Sequence, residues 1–427
     1  MLIIAYYWPP SGGSGVQRWL KFVKYLPGFG WTPYVFTPEN PSFAVRDESL
    51  LKDVPPEAEV IKFPIWEPYG AFNKVSSAVG EAKSAGQTLV YGKEKTFFQR
   101  VTTWIRGNLI IPDPRIFWVR PSVSFLSDFL RANNIRTIIT TGPPHSIHLI
   151  GYRLKKKNSS LKWIADFRDP WSEWGLLDSL SVGKIARTIH ARMEANVLKR
   201  ANSIVTITPY YVRRLEALSG RRVVLLSNGY DPDDFAALQL QPMTKFVVRH
   251  VGLVNERCNP RPFMSAIEEL AEEHADFRRD LHVDFVGEVH PQFRAFVEAS
   301  SGMSSFTTFT GAVPHDELIH LYGRSTLLLI ILTGYKDAEG YMPGKLFEYL
   351  ATGLPIFGTG PENGDASAIL KETGAGVMLE DVHREKIKAT LLTFYEKWRT
   401  EGVSHNPHAD VKYSRKEITR RLTELLS

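Results

Sequence analysis

The sequence predicts an α/β protein built from two Rossmann-like, doubly wound domains that face each other across a deep cleft. Short apolar runs alternate with amphipathic helical patterns along the 427 residues, and this alternation is typical of parallel sheets made of βαβ units. The runs TIIT (137–140) and LLLIIL (327–332) are apolar or β-branched throughout, as expected of strands buried on both faces. A turn-rich stretch near the middle of the chain separates two such series, which predicts two domains.

The first series of strands and helices ends at this turn-rich stretch, SNGYDPDDFAALQLQPMTK (227–245), and a second series starts at Phe246. Helical patterns such as VQRWLKFVKYL (16–26) lie between the strands. The predicted strands are 2–7, 33–37, 59–63, 136–141, 162–166, 203–207 and 222–226 in the first series, and 246–251, 282–286, 306–309, 326–332, 354–358 and 376–379 in the second. The last segment, 414–427, predicts an amphipathic helix with Ser414 as its N-cap.

Composition and charge narrow the class of protein. The single cysteine, Cys258, excludes an internal disulfide and fits a reducing, cytoplasmic location. No run of about 18 apolar residues is present, so no transmembrane helix is expected. The net charge of +6 is uneven, because residues 66–165 carry 15 Lys and Arg against 5 Asp and Glu. This excess predicts an anionic partner, with a basic solvent-exposed face as the plainer alternative.

A glycine-rich loop follows the first predicted strand. In AYYWPPSGGSGVQRWL (5–20), Gly12 and Gly13 let backbone amides approach a ligand, and the helix that follows adds unpaired N–H groups and positive potential. A phosphate group suits such a loop. The loop lacks the GxGxxG pattern of a dinucleotide site, and a turn that merely requires glycine is the alternative.

A histidine stands at the end of another predicted strand. In ITTGPPHSIHLIG (139–151), Gly-Pro-Pro forces a sharp exit from the strand, and Ser146 is a candidate cap of the following helix. His145 is therefore expected where the chemistry of an open α/β sheet takes place, at the carboxyl end of its strands. A buried, hydrogen-bonded histidine is the alternative.

Charged residues follow the next strand in the segment ADFRDPW (165–171). Asp166 and Asp169 flank Arg168 beside the aromatic ring of Trp171. This arrangement predicts an orienting network or a site for a polar substrate. A salt bridge that satisfies itself in the core is the alternative.

The second half carries a lysine and a glutamate at the start of one predicted helix, in PGKLFEYLATGLPI (343–356). Lys345 is a point charge suited to a phosphate. Glu348, one turn later, can accept hydrogen bonds from the two hydroxyls of a ribose. The alternative is an ion pair between these two side chains.

Two other loops of the second half add candidate contacts. In RHVGLVNERCNPRPF (249–263), Arg257 and Arg261 can neutralise a diphosphate. In FTGAVPHDEL, Gly311 and Val313 form a strand-to-glycine turn whose backbone groups can flank a planar base.

The ordered set of motifs resembles the retaining glycosyltransferases of family 4, which have the GT-B fold, and among them a bacterial branch that works on surface polysaccharides. The motifs, in chain order, are the early PPxGGxG loop, GPPHSIHLIG, ADFRDPW, SNGYDPDDF, FTGAVPHDEL and GKLFEYLATGLPI. The resemblance covers nearly the whole chain.

The resemblance implies a division of labour between the domains. Residues 1–235 would bind the acceptor, a glycan or a lipid-linked molecule, with the C-terminal helix (410–427) packed back on this domain. Residues 236–409 would bind the donor, a nucleotide diphosphate sugar carrying UDP, GDP or ADP. Neither a metal nor another cofactor is implied, and no nucleic-acid partner.

The resemblance also assigns roles to single residues. Glu348 matches the second glutamate of the family's E-x7-E motif, which holds the donor ribose, while Gly340 stands where the first glutamate belongs. Leu253 and Cys258 stand where the family has an Arg/Lys pair for the diphosphate, and Arg257 is one residue away.

The implied reaction is a hexosyl transfer with retention of the anomeric configuration, in polysaccharide or lipopolysaccharide biosynthesis. The donor phosphate would take the acceptor's proton, and His145 would orient the sugar. Asp166 and Asp169 would join it in the catalytic site, with Arg168 and Trp171 on the acceptor. Arg257, Arg261, Lys345, Glu348, Gly311, Val313 and the amides of Gly12 and Gly13 would contact the donor.

A basic segment with an apolar stripe, KTFFQRVTTWIRGNLIIPD (95–113), predicts a helix that can lie in a membrane interface. The apolar residues at helical spacing are Phe97, Phe98, Val101, Trp104 and Ile105, and Lys95, Arg100 and Arg106 lie mostly away from them. The chain is therefore expected to be cytoplasmic, with peripheral contact to the inner membrane through this segment. A helix packed on its own domain is the alternative.

Three other functions remain open from the sequence. A sugar-nucleotide epimerase shares the GT-B architecture. A catalytically decayed binding or scaffold protein fits the departures at Leu253, Cys258 and Gly340. A nicotinamide oxidoreductase fits the glycine-rich loop less well.

Overall fold

The chain forms two parallel sheets, one in each of two units. The structure is a computed structural model that describes residues 1–43, 46–67, 97–173, 177, 180–256, 258–332, 338–406 and 411–426. Unit 1 comprises Met1–Ser227 with Arg415–Ser427, and unit 2 comprises Asn228–Ser414. The predicted α/β class is confirmed. Among the described residues, no helix combines the length and the apolar character needed to cross a bilayer.

Unit 1 contains a seven-stranded sheet in the order β3-β2-β1-β4-β5-β6-β7, and every described pair in it is parallel. The direction of the strand order reverses between β1 and β4, so the loops after these two strands emerge side by side. The strands are β1 (Leu2–Ile4), β2 (Tyr34–Pro38), β3 (Glu59–Phe63), β4 (Thr137–Gly142), β5 (Lys162–Phe167), β6 (Ser203–Thr206) and β7 (Val224–Leu225).

Helices cover both faces of the unit 1 sheet because successive strand residues point to opposite sides. Ile3 and Ile139 face the helix that follows β1 and the C-terminal helix. Leu2 and Ile138 face the opposite layer. Within the described part of unit 1, the helices are α1 (Ser14–Tyr25), α2 (Phe97–Asn108), α3 (Ile116–Ala132), α4 (Ser146–Lys157), α5 (Lys184–Arg200), α6 (Pro209–Ser219) and the C-terminal α15 (Arg415–Glu424).

Unit 2 repeats this plan with a six-stranded parallel sheet in the order β10-β9-β8-β11-β12-β13. Its order reverses between β8 and β11, which brings the loops after these strands together. The strands are β8 (Phe246–Val251), β9 (Leu281–Val286), β10 (Thr307–Gly311), β11 (Leu327–Ile331), β12 (Ile356–Thr359) and β13 (Gly376–Leu379).

The helices of unit 2 also pack on both faces of their sheet, with Phe246 and Leu329 in one apolar layer and Leu328 and Ile330 in the other. Among the described residues they are α7 (Arg261–Glu273), α8 (Ala275–Asp280), α9 (Pro291–Glu298), α10 (Ser301–Phe306), α11 (His315–Gly323), α12 (Gly344–Thr352), α13 (Asp365–Thr373) and α14 (Arg384–Glu401). Most of the candidate site residues that the structure describes lie in loops after the strands or in the first turn of the helices that follow, whereas Asp166 lies within β5 and Glu348 lies one turn into its helix.

Candidate functional site

The carboxyl edge of the unit 2 sheet is lined by glycine turns. Gly252, directly after β8, has a φ of 133°, a conformation that residues with a side chain rarely adopt. A Cβ atom at this position would lie 2.3 Å from Nζ of Lys345. The bare backbone of Gly252 therefore makes room for the ammonium group. Other turns of this edge also contain glycines with positive φ, namely Gly287, Gly311 and Gly360.

Lys345 lies in the first turn of α12 and is half-buried. Burial lowers the pKa of its ammonium group, while nearby Cys258 and Glu348 oppose that shift. No carboxylate of the described residues lies within 4.0 Å of its Nζ. A half-buried cation without an acidic partner beside exposed backbone can receive an anion.

Glu348 lies one turn further along α12 and is also half-buried. Its Oε2 accepts a hydrogen bond from the buried hydroxyl of Tyr322 (3.2 Å). Burial and the neighbouring Glu348 raise the pKa of Tyr322 well above its ordinary value, so the tyrosine remains a donor. Lys345 and Glu348 therefore lie on adjacent turns of α12 without forming an ion pair. Each side chain can still bind a polar group of a ligand.

The remaining predicted donor residues occupy different surroundings. Arg261 begins α7, donates to the carbonyl of Gln292 (2.8 Å) and lies 5.1 Å from the ring centre of Phe296. It is thus directed toward α9, and no described contact joins it to Lys345. Val313 is half-buried in the turn after Gly311.

Two further positions named in the sequence lie outside the described residues, namely Arg257 and Lys95. Gly340 closes a short 3-10 helix, Ala338–Gly340, and is buried there, whereas Glu339 is exposed. Cys258 is buried, with its Sγ 3.6 Å from the carbonyl of Ile331.

The carboxyl edge of the unit 1 sheet begins with the glycine-rich loop after β1. Gly13 is the N-cap of α1, has a φ of 87°, and leaves the helix start without a side-chain cap. Gly12 is half-buried and Gly13 is exposed. The N–H groups of this helix start therefore donate no hydrogen bond to a side chain of the N-cap residue, and their contact with a ligand stays a prediction.

His145 lies in the next loop of this edge, between β4 and α4, and is buried. Its ring stacks on Trp171, with the ring centres 5.1 Å apart and the planes 5° from parallel. Burial, with His148 and Arg168 nearby, lowers the pKa of His145 well below its usual value. The imidazole is therefore neutral at neutral pH.

Arg168 joins the loops that surround His145. Its guanidinium donates to the carbonyls of Gly15 (2.7 Å), Gly142 (3.3 Å) and Pro143. Burial lowers the pKa of Arg168, and the carboxylates of Asp169 and Asp166 oppose the shift. The side chain therefore ties the glycine-rich loop to the loop that carries His145.

Asp166, at the end of β5, lies in a buried network. Its carboxylate forms an ion pair with Arg18 (3.0 Å) and accepts hydrogen bonds from Trp19 (2.7 Å) and Thr141 (3.0 Å). Burial alone would raise the pKa of Asp166, but Arg18 and the hydrogen bonds hold it below its ordinary value. Asp169 is half-buried, and burial raises its pKa.

Sequence reasoning did not find Asp113, which lies in the loop between α2 and α3. Its carboxylate accepts from the backbone N–H of Ser146 (2.9 Å) and from the Ser146 hydroxyl (2.8 Å). The predicted capping role of Ser146 thus belongs to Asp113, because Ser146 is the first helical residue. The only local signal was an acidic residue before proline, which is common in loops.

Residues 245–397 match the model of the family Glycosyl transferases group 1. A search of curated protein sequences finds no match. These 153 residues contain Lys345, Glu348 and the glycine turns of unit 2.

Solved structures resemble the chain along its whole length. A glycosyltransferase from Rickettsia africae ESF-5 is 14% identical and covers 99% of this chain and 96% of its own, with a TM-score of 0.64. Sucrose-phosphate synthase from Thermosynechococcus elongatus is 13% identical over 100% and 97%, with a TM-score of 0.61. WaaG, a glycosyltransferase involved in lipopolysaccharide biosynthesis, is 14% identical over 99% and 95%, with a TM-score of 0.53. At these identities the likeness shows the fold, and the predicted GT-B fold is confirmed.

Proposed function

We propose that this chain, a glycosyltransferase with the GT-B fold, transfers a sugar from a nucleotide diphosphate sugar to a hydroxyl group with retention of the anomeric configuration. The observation that carries the proposal is the pair of charges on α12, which form an ion pair neither with each other nor with any other residue that the structure describes. Lys345 offers an ammonium group over the bare backbone of Gly252, and Glu348 offers a carboxylate one turn away. An ammonium group suits a diphosphate, and a carboxylate one turn away suits the diol of the adjacent ribose.

The chemistry of the donor explains why these groups are useful. As the glycosidic bond breaks, negative charge develops on the leaving diphosphate, and a preorganised cation stabilises it. Lys345 supplies that cation, and the N-terminus of α12 adds positive potential. Glu348 holds the ribose in place, and this keeps the adjacent diphosphate close to the ammonium group of Lys345.

Unit 1 is proposed to bind the acceptor, and unit 2 the donor. His145 would orient the transferred sugar as a neutral imidazole, and Asp166 or Asp169 would act with it. Of these two carboxylates, Asp169 is the accessible one, because Asp166 is 1% exposed and fully hydrogen-bonded. Arg168 would hold the loop that carries His145 rather than contact the acceptor itself, because its N–H groups already donate to backbone carbonyls.

The assay that tests the proposal measures donor consumption and sugar transfer across UDP-, GDP- and ADP-sugars. Glu348→Ala removes a charged hydrogen-bond acceptor worth about 1.5–3 kcal/mol, so kcat/KM should fall about 10- to 100-fold, mainly through the donor KM. His145→Ala should mainly lower kcat. Glu396→Ala, an exposed glutamate on α14, is the matched control and should behave like the parent.

Two outcomes would contradict the assignment. If both site variants transfer sugar at the parent rate, the site lies elsewhere. If the parent changes the donor sugar without any acceptor and forms no glycoside, an epimerase is the better description. Binding of nucleotide diphosphates without turnover of any donor would favour a scaffold protein.

We also propose a lipid-linked acceptor at an anionic membrane surface, in polysaccharide or lipopolysaccharide biosynthesis at the cytoplasmic face. Helix α2 leaves apolar side chains exposed, with Phe97 83% and Trp104 50% accessible. The start of α5 adds Ile185, 81% accessible, and the two helices adjoin through a hydrogen bond from Gly183 to Asn108 (2.8 Å).

The charge of these two helices favours an anionic surface. Helix α2 contains no acidic residue, and the single acid of α5, Glu194, is buried and accepts hydrogen bonds from Ser172. The basic residues of the two helices are Arg100, Arg106, Lys184, Arg187, Arg192, Lys199 and Arg200. Apolar side chains flanked by cations suit the interface of an anionic bilayer.

Vesicle co-sedimentation tests this contact. The parent should bind vesicles containing anionic lipid and bind zwitterionic vesicles weakly, and the double variant Trp104→Ser with Ile185→Ser should lose the binding. Val382→Ser, which changes an exposed valine of unit 2 (78% accessible), serves as the control. Equal sedimentation of the parent and the double variant would remove this surface from the proposal.

A further inference from the structure

We propose that Asp113 is the positioning residue of His145, a role that rests on the proposed function of His145 in sugar transfer. No described contact joins Asp113 to the groups that are proposed to react. Asp113 instead hydrogen-bonds to the backbone of Ser146, the residue directly after the histidine.

The start of α4 explains why a positioning residue is needed. His145 occupies the N-cap position, where a side chain normally accepts a hydrogen bond from the first turn. Its ring makes no such bond and stacks on Trp171 instead. A histidine cannot both cap the helix and present its ring elsewhere, so another residue must satisfy the helix start.

Asp113 supplies the missing cap from 33 residues earlier in the chain. One carboxylate oxygen accepts from the Ser146 N–H and the other from the Ser146 hydroxyl, at 2.9 and 2.8 Å. The N–H of Arg115 donates to the same carboxylate at 2.9 Å. Three donors fix the orientation of the carboxylate, and the carboxylate in turn fixes the residue next to His145.

The loop of Asp113 is itself anchored to two other strand ends. The Arg115 guanidinium forms an ion pair with Glu67 (3.0 Å) and donates to the Tyr6 hydroxyl (3.0 Å). Tyr6 follows β1, and Glu67 follows β3. The loop that carries Asp113 is therefore linked through Arg115 to the chain after β1 and after β3.

The loop that carries His145 is consequently held on both sides. Arg168 binds the carbonyls of Gly142 and Pro143 before the histidine, and Asp113 binds Ser146 after it. Together with the stack on Trp171, these contacts set the plane and the position of the imidazole. Loss of the Asp113 bonds would release one side of the loop.

A purely structural cap would change stability alone, so the test compares turnover with folding. Asp113→Ala should lower kcat about 10- to 100-fold, the cost of a small misplacement of a catalytic group, while the donor KM changes less than about twofold, because Lys345 and Glu348, the proposed contacts of the diphosphate and the ribose, lie in unit 2 and are unchanged. Asp113→Asn keeps one acceptor oxygen and should retain an intermediate kcat. Asp128→Ala, an exposed aspartate on α3, is the control.

A spectroscopic measurement reads out the position of His145 directly. In protein with 13C-labelled histidine, the His145 ring protons should show a ring-current shift from the parallel indole of Trp171. This signal, assigned with His145→Ala, should move toward the value of an exposed histidine in Asp113→Ala. If Asp113→Ala does not fold, Ser146→Ala removes one of the two bonds and should shift the signal in the same direction.

The outcomes separate this proposal from the proposed function. A folded Asp113→Ala variant with parent kcat and an unmoved His145 signal would overturn the positioning role. So would an equal further loss of kcat when Asp113→Ala is added to His145→Ala, because a positioning residue has no effect without its histidine. Parent activity in His145→Ala would instead contradict the proposed function of His145, whatever Asp113 does to the signal.

Discussion

Replacing Gly252 by alanine perturbs the proposed diphosphate site without changing either of its charges. The new Cβ would lie 2.3 Å from Nζ of Lys345, whereas ordinary contact begins at 3.4 Å. The ammonium group must therefore move by about 1 Å, the difference between these distances. The φ of 133° at Gly252 adds backbone strain, at a cost of about 1–3 kcal/mol in folding stability.

The effect on donor binding follows from Coulomb's law. At an effective dielectric constant of about 20, moving a cation from about 4 to about 5 Å from a phosphate charge costs about 0.8 kcal/mol. This corresponds to a dissociation constant about fourfold higher for one phosphate charge, and about 16-fold higher if both phosphates contribute equally. The Kd of UDP, GDP or ADP, whichever the parent binds, should rise by this factor in Gly252→Ala.

A matched control separates displacement of Lys345 from backbone strain. Gly374 also has a positive φ, 62°, but a Cβ there meets nothing within 4 Å, so Gly374→Ala carries strain alone. Nucleotide binding measured by titration calorimetry should be unchanged in this control. Parent affinity in Gly252→Ala would refute the placement of the diphosphate beside Lys345. So would an undiminished loss when Gly252→Ala is added to Lys345→Ala.

Two further predictions concern buried titratable groups in unit 1. Asp166→Ala leaves Arg18 buried without its partner, so the free energy of unfolding in urea should fall by about 3–5 kcal/mol, and unchanged stability would show that the ion pair of 3.0 Å does not exist in solution. Burial lowers the pKa of His148 to about 3, from 6.5 in an unfolded chain. The unfolded state then binds the extra proton, so stability is complete above pH 6.5 and falls as the pH drops from 6.5 toward 3. Between pH 6.5 and 5 the loss from this histidine is about 2 kcal/mol; His148→Gln should reduce the pH dependence by that amount, and an identical pH dependence in parent and variant would contradict the assignment.

The alternation of strands and helices could be predicted because it depends on local patterns. The apolar runs at 137–140 and 327–332 are buried strands in the structure. Gly-Pro-Pro-His placed His145 directly after β4, since that sequence cannot continue a strand. The apolar pattern around Lys345 and Glu348 predicted a helix, and a spacing of three residues on a helix puts two side chains on neighbouring turns.

The partners of the polar residues could not be predicted, because they come from distant parts of the chain. Asp166 pairs with Arg18, which is 148 residues away, and Asp113 caps the helix of Ser146 across 33 residues. The sequence around a carboxylate at the end of a strand does not show whether the carboxylate binds a substrate or neutralises a buried arginine. Only the three-dimensional contacts separate these roles, and they leave Asp169 as the more accessible acid.

The short connection between Asn108 and Asp113 has a consequence for regulation. At one end it follows α2, an amphipathic helix with the exposed rings of Phe97 and Trp104. At the other end, Asp113 hydrogen-bonds to the loop that carries His145. Binding of α2 to lipid would therefore change the position of this connection and of Asp113. The turnover of even a water-soluble acceptor analogue should then rise when vesicles are added. The enzyme would then work fastest at a membrane surface, where the proposed lipid-linked acceptor is found.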